Sequence, residues 1–405
     1  MRVYHFSESP YPAAWPEAER QAIRVSLPNK HFDPKIGADL INQRLDEWIL
    51  ADELGLHIMI NEHRSTSTCV TASCIPPAAM LARQSKNARI LVLGPTIGVR
   101  RDPLLLAEEL SYIDVVSRGR LDLGLLKGYS AEIAPSNMNP ASLYGRYWEA
   151  HDLILKAMSH REGPFNWEGE FFHYRQVNIW PRPYQEPHPP VWISCFSPSS
   201  AVEVADRGYI ASASIDANMT IGIFDAYRRR CAELGRPNPP LDRFAYLCLV
   251  GVGHTEAQGL ERLSRVRGWV WSSGVTPEQY GNPPGVNPIA ANVQMMKRHP
   301  AKPSWATHVV GRSGKAYNPS YDPAQNLIDS GMGFGGTPDQ VFEQIKDFYF
   351  HVGGFGHLLA MMQGGDLGHA DTTDSMKLFA REVLPRLQEL AVPEPKEYNN
   401  VRAVG

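Results

Sequence analysis

The chain has 405 residues, 43% of them hydrophobic, which is enough for one large α/β barrel or for two to three ordinary domains. Its 40 basic and 43 acidic residues are well mixed, and the formal charge of -3 argues against nucleic-acid or membrane-surface partners. Five cysteines without CxxC or zinc spacing, no signal-like start and no apolar run of membrane-spanning length predict a soluble, cytoplasmic protein with reduced thiols.

Predicted strands and helices alternate along almost the whole chain. The predicted strands are residues 2–6, 57–61, 89–97, 121–125, 191–195, 209–213, 246–252 and 357–361. The predicted helices begin near residues 41, 76, 103, 146, 198, 221, 338 and 374. Eight strands that alternate with helices predict a single α/β domain over residues 1–405 with the TIM (β/α)8 barrel fold.

The stretch from Asp102 to Gly128 shows how one of these units is specified. An aspartate oxygen caps a helix start and proline fits the first helical position, so Asp102 and Pro103 begin a helix. Apolar residues then recur at helical spacing until Gly119 ends the helix. Leucines 121, 123 and 125 alternate as a strand after a two-residue joint. This is half of a parallel α/β repeat.

Three long segments interrupt the alternation and are predicted to be loop insertions at the C-terminal face of the barrel. They span about residues 7–37, 160–188 and 269–335, and the second contains a predicted β-hairpin between residues 165 and 180. Residues 331–336, GMGFGG, formally match GxGxxG before a helix, but they lack a convincing preceding strand and the βαβ context. We therefore interpret them as a loop.

The active site of a TIM barrel lies at the C-terminal ends of its strands, so the candidate residues are those just past each predicted strand. Lys127 follows the fourth strand and could bind a phosphate as a compact charge, or simply reach solvent. Ser197, Ser199 and Ser200 follow the fifth strand at a helix start, where hydroxyls and free amides can form an anion site or merely cap the helix.

His63 follows the second predicted strand within Glu62-His63-Arg64. An imidazole with a near-neutral pKa can move protons in catalysis, although a histidine on a loop is often structural. No metal site is predicted, because the nearest candidates, His57 and Cys69, lack a recognised ligand spacing. Four aromatic residues of the long loops could line an apolar substrate pocket or pack for stability: Trp15, Trp269, Trp271 and Tyr280.

The region around the fourth helix and strand resembles the signature of the bacterial luciferase-like flavin-dependent monooxygenases. The pattern AE-x-x-x-x-LD-x-x-S-x-GR-x-x-x-G-x-x-x-G is matched by Ala107-Glu108, Ile113-Asp114, Ser117, Gly119-Arg120, Gly124 and Gly128. Isoleucine in place of the usual leucine at 113 is conservative. The resemblance covers most of the chain and implies a TIM barrel that uses reduced FMN and O2 to oxygenate a small organic substrate.

The resemblance also implies roles for the candidate residues. The FMN phosphate would bind Lys127, where the family carries an arginine, together with Ser197, Ser199 and Ser200. His63 would be the catalytic residue near the reactive edge of the flavin, in a Glu-His-Arg segment where the family has Glu-His-His. Without a dinucleotide domain, the chain is expected to receive reduced FMN from a separate NAD(P)H:flavin reductase. A homodimer or higher oligomer is typical of such proteins.

Two alternatives remain open at this point. Similar barrels of the same superfamily use the deazaflavin F420 for hydride transfer, and its longer anionic tail could bind basic residues such as Arg100 and Arg101. The chain could instead be a non-catalytic partner subunit of a heterodimer, either flavin-binding or degenerate.

Overall fold

The protein is described here by a computed structural model that covers residues 1–18, 22–214, 216–268, 270, 272, 276–287, 289, 293 and 309–394. The strands of these residues, in chain order, are β1 (Arg2–Ser7), β2 (His57–Ile60), β3 (Ile90–Thr96), β4 (Leu121–Leu126), β5 (Phe165–Glu168), β6 (His173–Val177), β7 (Val191–Ser194), β8 (Ile210–Ala213), β9 (Phe244–Val252), β10 (Val309–Val310), β11 (Ala316–Tyr317), β12 (Gly333–Gly336) and β13 (His357–Gln363).

Eight of these strands form a closed parallel barrel. Their order around it is β1, β2, β3, β4, β7, β8, β9 and β13, and β13 pairs with β1 to close the ring. All eight coincide with predicted strands, so the prediction of a TIM barrel is confirmed. Apolar residues are concentrated in these strands because both faces of each strand are buried, one in the barrel interior and the other under the surrounding helices.

Helices connect the strands on the outside of the barrel. They are α1 (Trp15–Ala18), α2 (Pro34–Glu53), α3 (Ile75–Gln84), α4 (Pro103–Val116), α5 (Leu143–Ser159), α6 (Pro198–Arg207), α7 (Ala217–Glu233), α8 (Glu256–Val266), α9 (Glu278–Gly281), α10 (Ala324–Ser330), α11 (Pro338–His351), α12 (His369–Leu378) and α13 (Leu384–Gln388). The cap at Asp102 is confirmed, since its carboxylate accepts a hydrogen bond from the Leu105 amide at 2.9 Å. No helix in the described ranges is both long and apolar enough to cross a bilayer.

Two buried layers hold the barrel together. Outward-facing strand residues pack under the helices, as do Leu123 and Leu125 of β4. Inward-facing residues fill the barrel itself, among them Phe6, Met59 and Leu91. Burial of this apolar surface is the main stabilising contribution, at roughly 25 cal/mol per Å². The packed interior leaves the C-terminal ends of the strands as the place where polar side chains collect.

The prediction that residues 331–336 form a loop is wrong. Gly333–Gly336 is the strand β12, which pairs in parallel with the C-terminal half of β9. The same edge of β9 pairs with β8 at its N-terminal half, so β9 accommodates two partners in succession. The glycines serve close packing, because a Cβ on Gly259 of α8 would lie 2.2 Å from the Gly336 carbonyl oxygen. This contact between distant segments has no local signature in the sequence.

The long insertions contain more regular structure than predicted. The hairpin is confirmed, with β5 and β6 paired antiparallel. Where it is described, the third insertion includes α9, the small β10–β11 ladder and α10. The closing helix, predicted as continuous from 374 to 390, is interrupted by a π-helical turn over Phe379–Val383. Pro385, two residues after this turn, lacks an amide donor, which accounts for the break in the hydrogen-bond register.

Asp52, near the end of α2, connects two segments of the chain at the N-terminal face of the barrel through backbone hydrogen bonds. Its carboxylate accepts hydrogen bonds from the amides of Lys86, Asn87 and Ala88 at 2.7, 2.9 and 2.6 Å. Burial alone would raise the pKa of Asp52, but these bonds and the charge of Arg120 outweigh it and lower the pKa below its ordinary value. The carboxylate therefore stabilises the fold above the pKa it has when unfolded, and this contribution disappears as the pH falls through the folded pKa.

Asp52→Asn is accordingly expected to reduce the free energy of unfolding by about 2 kcal/mol at pH 7. The difference from the unsubstituted protein should be smaller at pH 3 than at pH 7. Urea unfolding at the two pH values measures both quantities. An equal loss of stability at pH 7 and pH 3 would show that shape rather than charge is responsible.

Candidate active site

His63 lies just beyond β2 and is held between two buried carboxylates. Its Nδ1 atom is 3.1 Å from Oε1 of Glu132, and its Nε2 atom is 3.3 Å from Oε1 of Glu8. Glu8 follows β1, and Glu132 belongs to the 3-10 turn Ser130–Glu132 after β4. Both glutamates are at most 1% exposed, whereas the His63 side chain keeps 22% of its surface accessible. The barrel thus brings together three residues that lie far apart in the sequence.

Glu132 is fixed by the backbone as well as by His63. Its Oε2 atom accepts a hydrogen bond from the Tyr129 amide at 2.9 Å, and its Oε1 atom accepts one from the Arg64 amide at 3.3 Å. Burial alone would raise the pKa of Glu132, but the hydrogen bond to His63, the Tyr129 amide and Arg24 outweigh it and lower the pKa below the ordinary value. Glu132 is therefore held as a carboxylate.

The carboxylate of Glu62, the residue before His63, accepts four hydrogen bonds from neighbouring loops. Its Oε1 atom accepts hydrogen bonds from the amide and the hydroxyl of Thr96 at 3.0 and 3.1 Å. Its Oε2 atom accepts bonds from the Cys74 amide at 3.2 Å and from Arg100 at 2.9 Å. All of its acceptor sites tie the loop after β2 to the loops that follow β3 and precede α3. Glu62 thus supports the position of His63.

Lys127 follows β4 on the side of the barrel mouth where α6 begins. Burial lowers the pKa of Lys127 below its ordinary 10.5, and the nearby carboxylate of Glu203 offsets part of this effect. Glu203 lies in the second turn of α6 and also accepts a hydrogen bond from the Tyr144 hydroxyl. The backbone segments at Gly98 and Lys127 are in close contact, because a Cβ on Gly98 would lie 2.3 Å from the Lys127 carbonyl oxygen.

The three predicted serines surround the N-terminus of α6. The Ser197 hydroxyl accepts a hydrogen bond from the Ser200 amide at 3.2 Å, and the Ser200 hydroxyl accepts one from the Ser197 amide at 3.3 Å, forming a capping box. The hydroxyls of Ser197 and Ser199 are 2.9 Å apart. Since β4 and β7 are neighbours, with Leu123 opposite Val191, Lys127 and this helix start share one sector of the mouth. Three hydroxyls, a helix N-terminus and a lysine fit a phosphate group.

One segment of the chain joins the histidine cluster (Glu8, His63 and Glu132) to the lysine–serine sector (Lys127, Ser197, Ser199 and Ser200). The loop after β4 provides Lys127 and, five residues later, Glu132. We define the candidate active site as His63, Glu8 and Glu132 together with Lys127, Ser197, Ser199 and Ser200. Neither glutamate was predicted from the sequence. Glu8 lies just past a predicted strand, so its position could have marked it as a candidate. No nearby residue pattern indicated that Glu132 would contact His63.

A single metal ion would not fit the histidine cluster, because Glu8 and Glu132 face opposite ring nitrogens of His63. Among the described residues, no group of three or more His, Cys, Asp or Glu side chains is placed to hold a metal ion. A cavity of about 440 Å³ lies elsewhere, at the N-terminal face, and is lined by Arg2, Asp242 and His357 among others. Residues at that face of a TIM barrel generally contribute to stability.

The predictions for the four aromatic residues of the long loops differ in their outcomes. Trp15 is 8% exposed and packs against Ala18 and Ile23, which agrees with the stabilising interpretation. Tyr280 is partly buried at the end of α9. Trp269 and Trp271 lie outside the described residues. Arg100, suggested as a contact for an F420 tail, is engaged with Glu62, whereas Arg101 is exposed.

Comparison with known proteins agrees with this architecture. Residues 31–354 match the model of the luciferase-like monooxygenase family. The uncharacterised protein y4wF of Sinorhizobium fredii is 31% identical over 247 residues, covering 58% of this chain and 70% of that protein. The oxygenase component of the flavin-dependent trigonelline monooxygenase of Acinetobacter baylyi is 25% identical over 226 residues, covering 53% of this chain and 61% of that protein.

Solved structures show the same fold. The oxygenating constituent of 3,6-diketocamphane monooxygenase of Pseudomonas putida, in complex with FMN, superimposes with a TM-score of 0.67 at 18% identity, covering 88% of this chain and 95% of that one. An F420-dependent secondary alcohol dehydrogenase superimposes with a TM-score of 0.61 at 14% identity, covering 86% and 94%. Similarity at these identities concerns the fold alone. The match to the family model extends over most of the chain, and the protein therefore belongs to the luciferase-like monooxygenase family.

Proposed function

We propose that the protein is the oxygenase component of a two-component system, which uses reduced FMN and O2 to insert one oxygen atom into a small organic substrate. The observation that carries this proposal is the convergence of Lys127 and the serine-capped start of α6 in one sector of the barrel mouth. The relatives support it, because one is named as the oxygenase component of a flavin-dependent monooxygenase and a structural neighbour holds FMN.

The proposed roles follow from the chemistry of each group. Lys127 provides a compact positive charge for the phosphate of FMN, and the hydroxyls of Ser197, Ser199 and Ser200 provide donors around it. Bound reduced FMN supplies the two electrons that activate O2. His63 lies where a proton can be given to or taken from the reacting groups, because its ring is partly accessible while its two carboxylate partners are buried.

Two further parts of the proposal concern partners. Most of the GxGxxG-like segment forms the strand β12, which pairs with β9 and packs against α8, an arrangement that does not favour a dinucleotide site. We propose that a separate NAD(P)H:flavin reductase supplies the reduced FMN. We also propose a homodimer or higher oligomer, in keeping with the family resemblance. The substrate is a small organic molecule whose identity is left to a screen.

The phosphate site is tested by a pair of substitutions with opposite expected effects. Lys127→Ala should weaken FMN binding about 10- to 100-fold, because a charge-assisted contact contributes about 1.5–3 kcal/mol. Glu203→Gln should strengthen FMN binding about 2- to 5-fold, because it removes a negative charge near the phosphate. Anaerobic titration followed by flavin absorbance and fluorescence measures both affinities for the reduced and oxidised forms.

Riboflavin, which lacks the phosphate, is the matched ligand control: its affinity should be the same for both variants and for the unsubstituted protein. Unchanged FMN affinity in Lys127→Ala would remove Lys127 from the site. A parallel titration with reduced F420 separates the hydride-transfer alternative, which predicts tight F420 binding and no reaction with O2. Binding of neither cofactor would instead favour a partner subunit without its own activity.

A further inference from the structure

One arginine at the barrel mouth has a guanidinium group that makes no polar contact with the described residues. Arg64 lies directly after His63 in the loop that follows β2, and the residue is partly buried. Its backbone amide donates a hydrogen bond to Oε1 of Glu132 at 3.3 Å, so its backbone belongs to the candidate active site. The guanidinium nitrogens are not buried, so an anion can reach them.

Two other arginines of this region are engaged, in contrast to Arg64. Arg100 donates a hydrogen bond to Oε2 of Glu62 at 2.9 Å. Arg24 is 3% exposed and lies over the Tyr129 ring, with its guanidinium carbon 4.7 Å from the ring centroid. Both arginines contribute to the internal structure of the mouth, whereas the charge of Arg64 is available to a ligand. Charged groups that a fixed loop presents at the mouth of a barrel are candidates for ligand binding.

Two carboxylates beside Arg64 are engaged without its guanidinium. Glu62 accepts four hydrogen bonds from neighbouring loops. Glu132 accepts hydrogen bonds from the amides of Tyr129 and Arg64, and its Oε1 atom is 3.1 Å from Nδ1 of His63. An anion that binds the Arg64 guanidinium therefore does not have to displace either carboxylate.

The loop that carries Arg64 is fixed by its own backbone. The His63 amide donates a hydrogen bond to the Thr71 carbonyl oxygen at 3.1 Å, and the Val25 amide donates one to the Ser65 carbonyl oxygen at 2.7 Å. Ser65 has a φ of 55°, a left-handed conformation that is unfavourable for serine and persists where the surrounding structure enforces it. The backbone of Arg64 is thus positioned before a ligand binds, which reduces the ordering cost of binding.

The chemistry of the guanidinium group indicates which anion it would bind. Its planar fork carries a permanent positive charge and matches a carboxylate with two parallel hydrogen bonds. A single arginine suits a singly charged carboxylate, whereas a phosphate dianion needs several donors, as the lysine–serine sector offers. The two cationic positions are also separated around the barrel, because β3 lies between β2 and β4.

We propose that Arg64 is a substrate-recognition residue and that the substrate is a small organic carboxylate. Its carboxylate group binds the guanidinium of Arg64, which places the remainder of the molecule beside His63. This inference rests on the proposed function and names the substrate class of the same site. Binding of the carboxylate itself requires neither turnover nor O2, so it is measured separately.

Isothermal titration calorimetry of the full chain, first without flavin and then with saturating oxidised FMN, tests the proposal. The probes are benzoate and cyclohexanecarboxylate, and their amides are neutral controls of nearly the same shape. Arg64→Gln should weaken carboxylate binding about 5- to 30-fold and leave amide binding unchanged. Arg64→Lys should retain part of the affinity, because it keeps the charge but loses the fork. Arg83→Gln, which removes an exposed arginine of α3, is the matched control and should bind both carboxylates normally.

The outcomes separate this inference from the proposed function. Carboxylate affinity that is absent, or equal in Arg64→Gln and the unsubstituted chain in both flavin states, would overturn the inference. FMN affinity should not change in Arg64→Gln, and a loss for FMN but not for riboflavin would instead assign Arg64 to the phosphate site. An unsubstituted chain that binds no FMN would refute the proposed function, and the flavin-free titration would still decide carboxylate binding. Once a substrate is known, Arg64→Gln should raise KM while kcat changes less than about 3-fold.

Discussion

His63→Ala is expected to lower the rate of product formation by about 10²- to 10⁴-fold while FMN affinity changes little. General acid–base groups contribute rate factors of this size. His63 contacts Glu8 and Glu132 rather than the lysine–serine sector, so the phosphate contacts should remain. The measurement is product formed per reduced FMN consumed, together with O2 uptake, once a substrate has been identified. We expect reduced FMN to be oxidised with little product.

A surface histidine provides the matched control for this prediction. His173→Ala removes an exposed imidazole from β6 of the hairpin, and the yield of product per reduced FMN should be unchanged. Because alanine at 63 leaves two buried carboxylates without their shared partner, His63→Asn is a second test that retains a polar side chain. Full coupled turnover in a folded His63 variant would eliminate the catalytic role.

Gly259→Ala is expected to destabilise the fold by about 3 kcal/mol, since overpacking of this kind costs roughly 1–3 kcal/mol and the obstacle here is backbone. A Cβ at this position would lie 2.2 Å from the carbonyl oxygen and 2.5 Å from the amide nitrogen of Gly336. The backbone at Gly336 cannot move away easily, because Gly336 is the last residue of β12 and is paired with Val252 of β9. Urea unfolding followed by circular dichroism gives the free energy of unfolding.

Gly222→Ala in α7 is the matched control, because the new Cβ would have only an ordinary contact of 3.5 Å with Pro198. A glycine inside a helix is less favourable than alanine, so this variant should be about 0.5–1 kcal/mol more stable than the unsubstituted protein. If both substitutions changed stability by the same amount, helix propensity rather than the contact between α8 and β12 would account for the effect.

The sequence alone determined the parts of this protein that depend on neighbouring residues. Eight strands were predicted because apolar residues alternate or cluster within each strand. The caps at Asp102 and Ser197 marked helix starts because the capping hydrogen bonds span only three residues. The position of His63, Lys127 and the serines at strand ends followed from the strand boundaries together with the barrel prediction. The signature from Ala107 to Gly128 pointed to the family, which the family model matched.

Only the tertiary structure decided which of these residues meet. Glu8 and Glu132 are 124 positions apart in the numbering, yet both contact His63 because the ends of β1, β2 and β4 are brought to one mouth by closure of the barrel. Residues 333–336 form a strand because the C-terminal half of β9 has an edge that β8 does not pair with, and α8 lies against it. Such contacts depend on the order and register of strands around the barrel, which no short-range pattern of residues encodes.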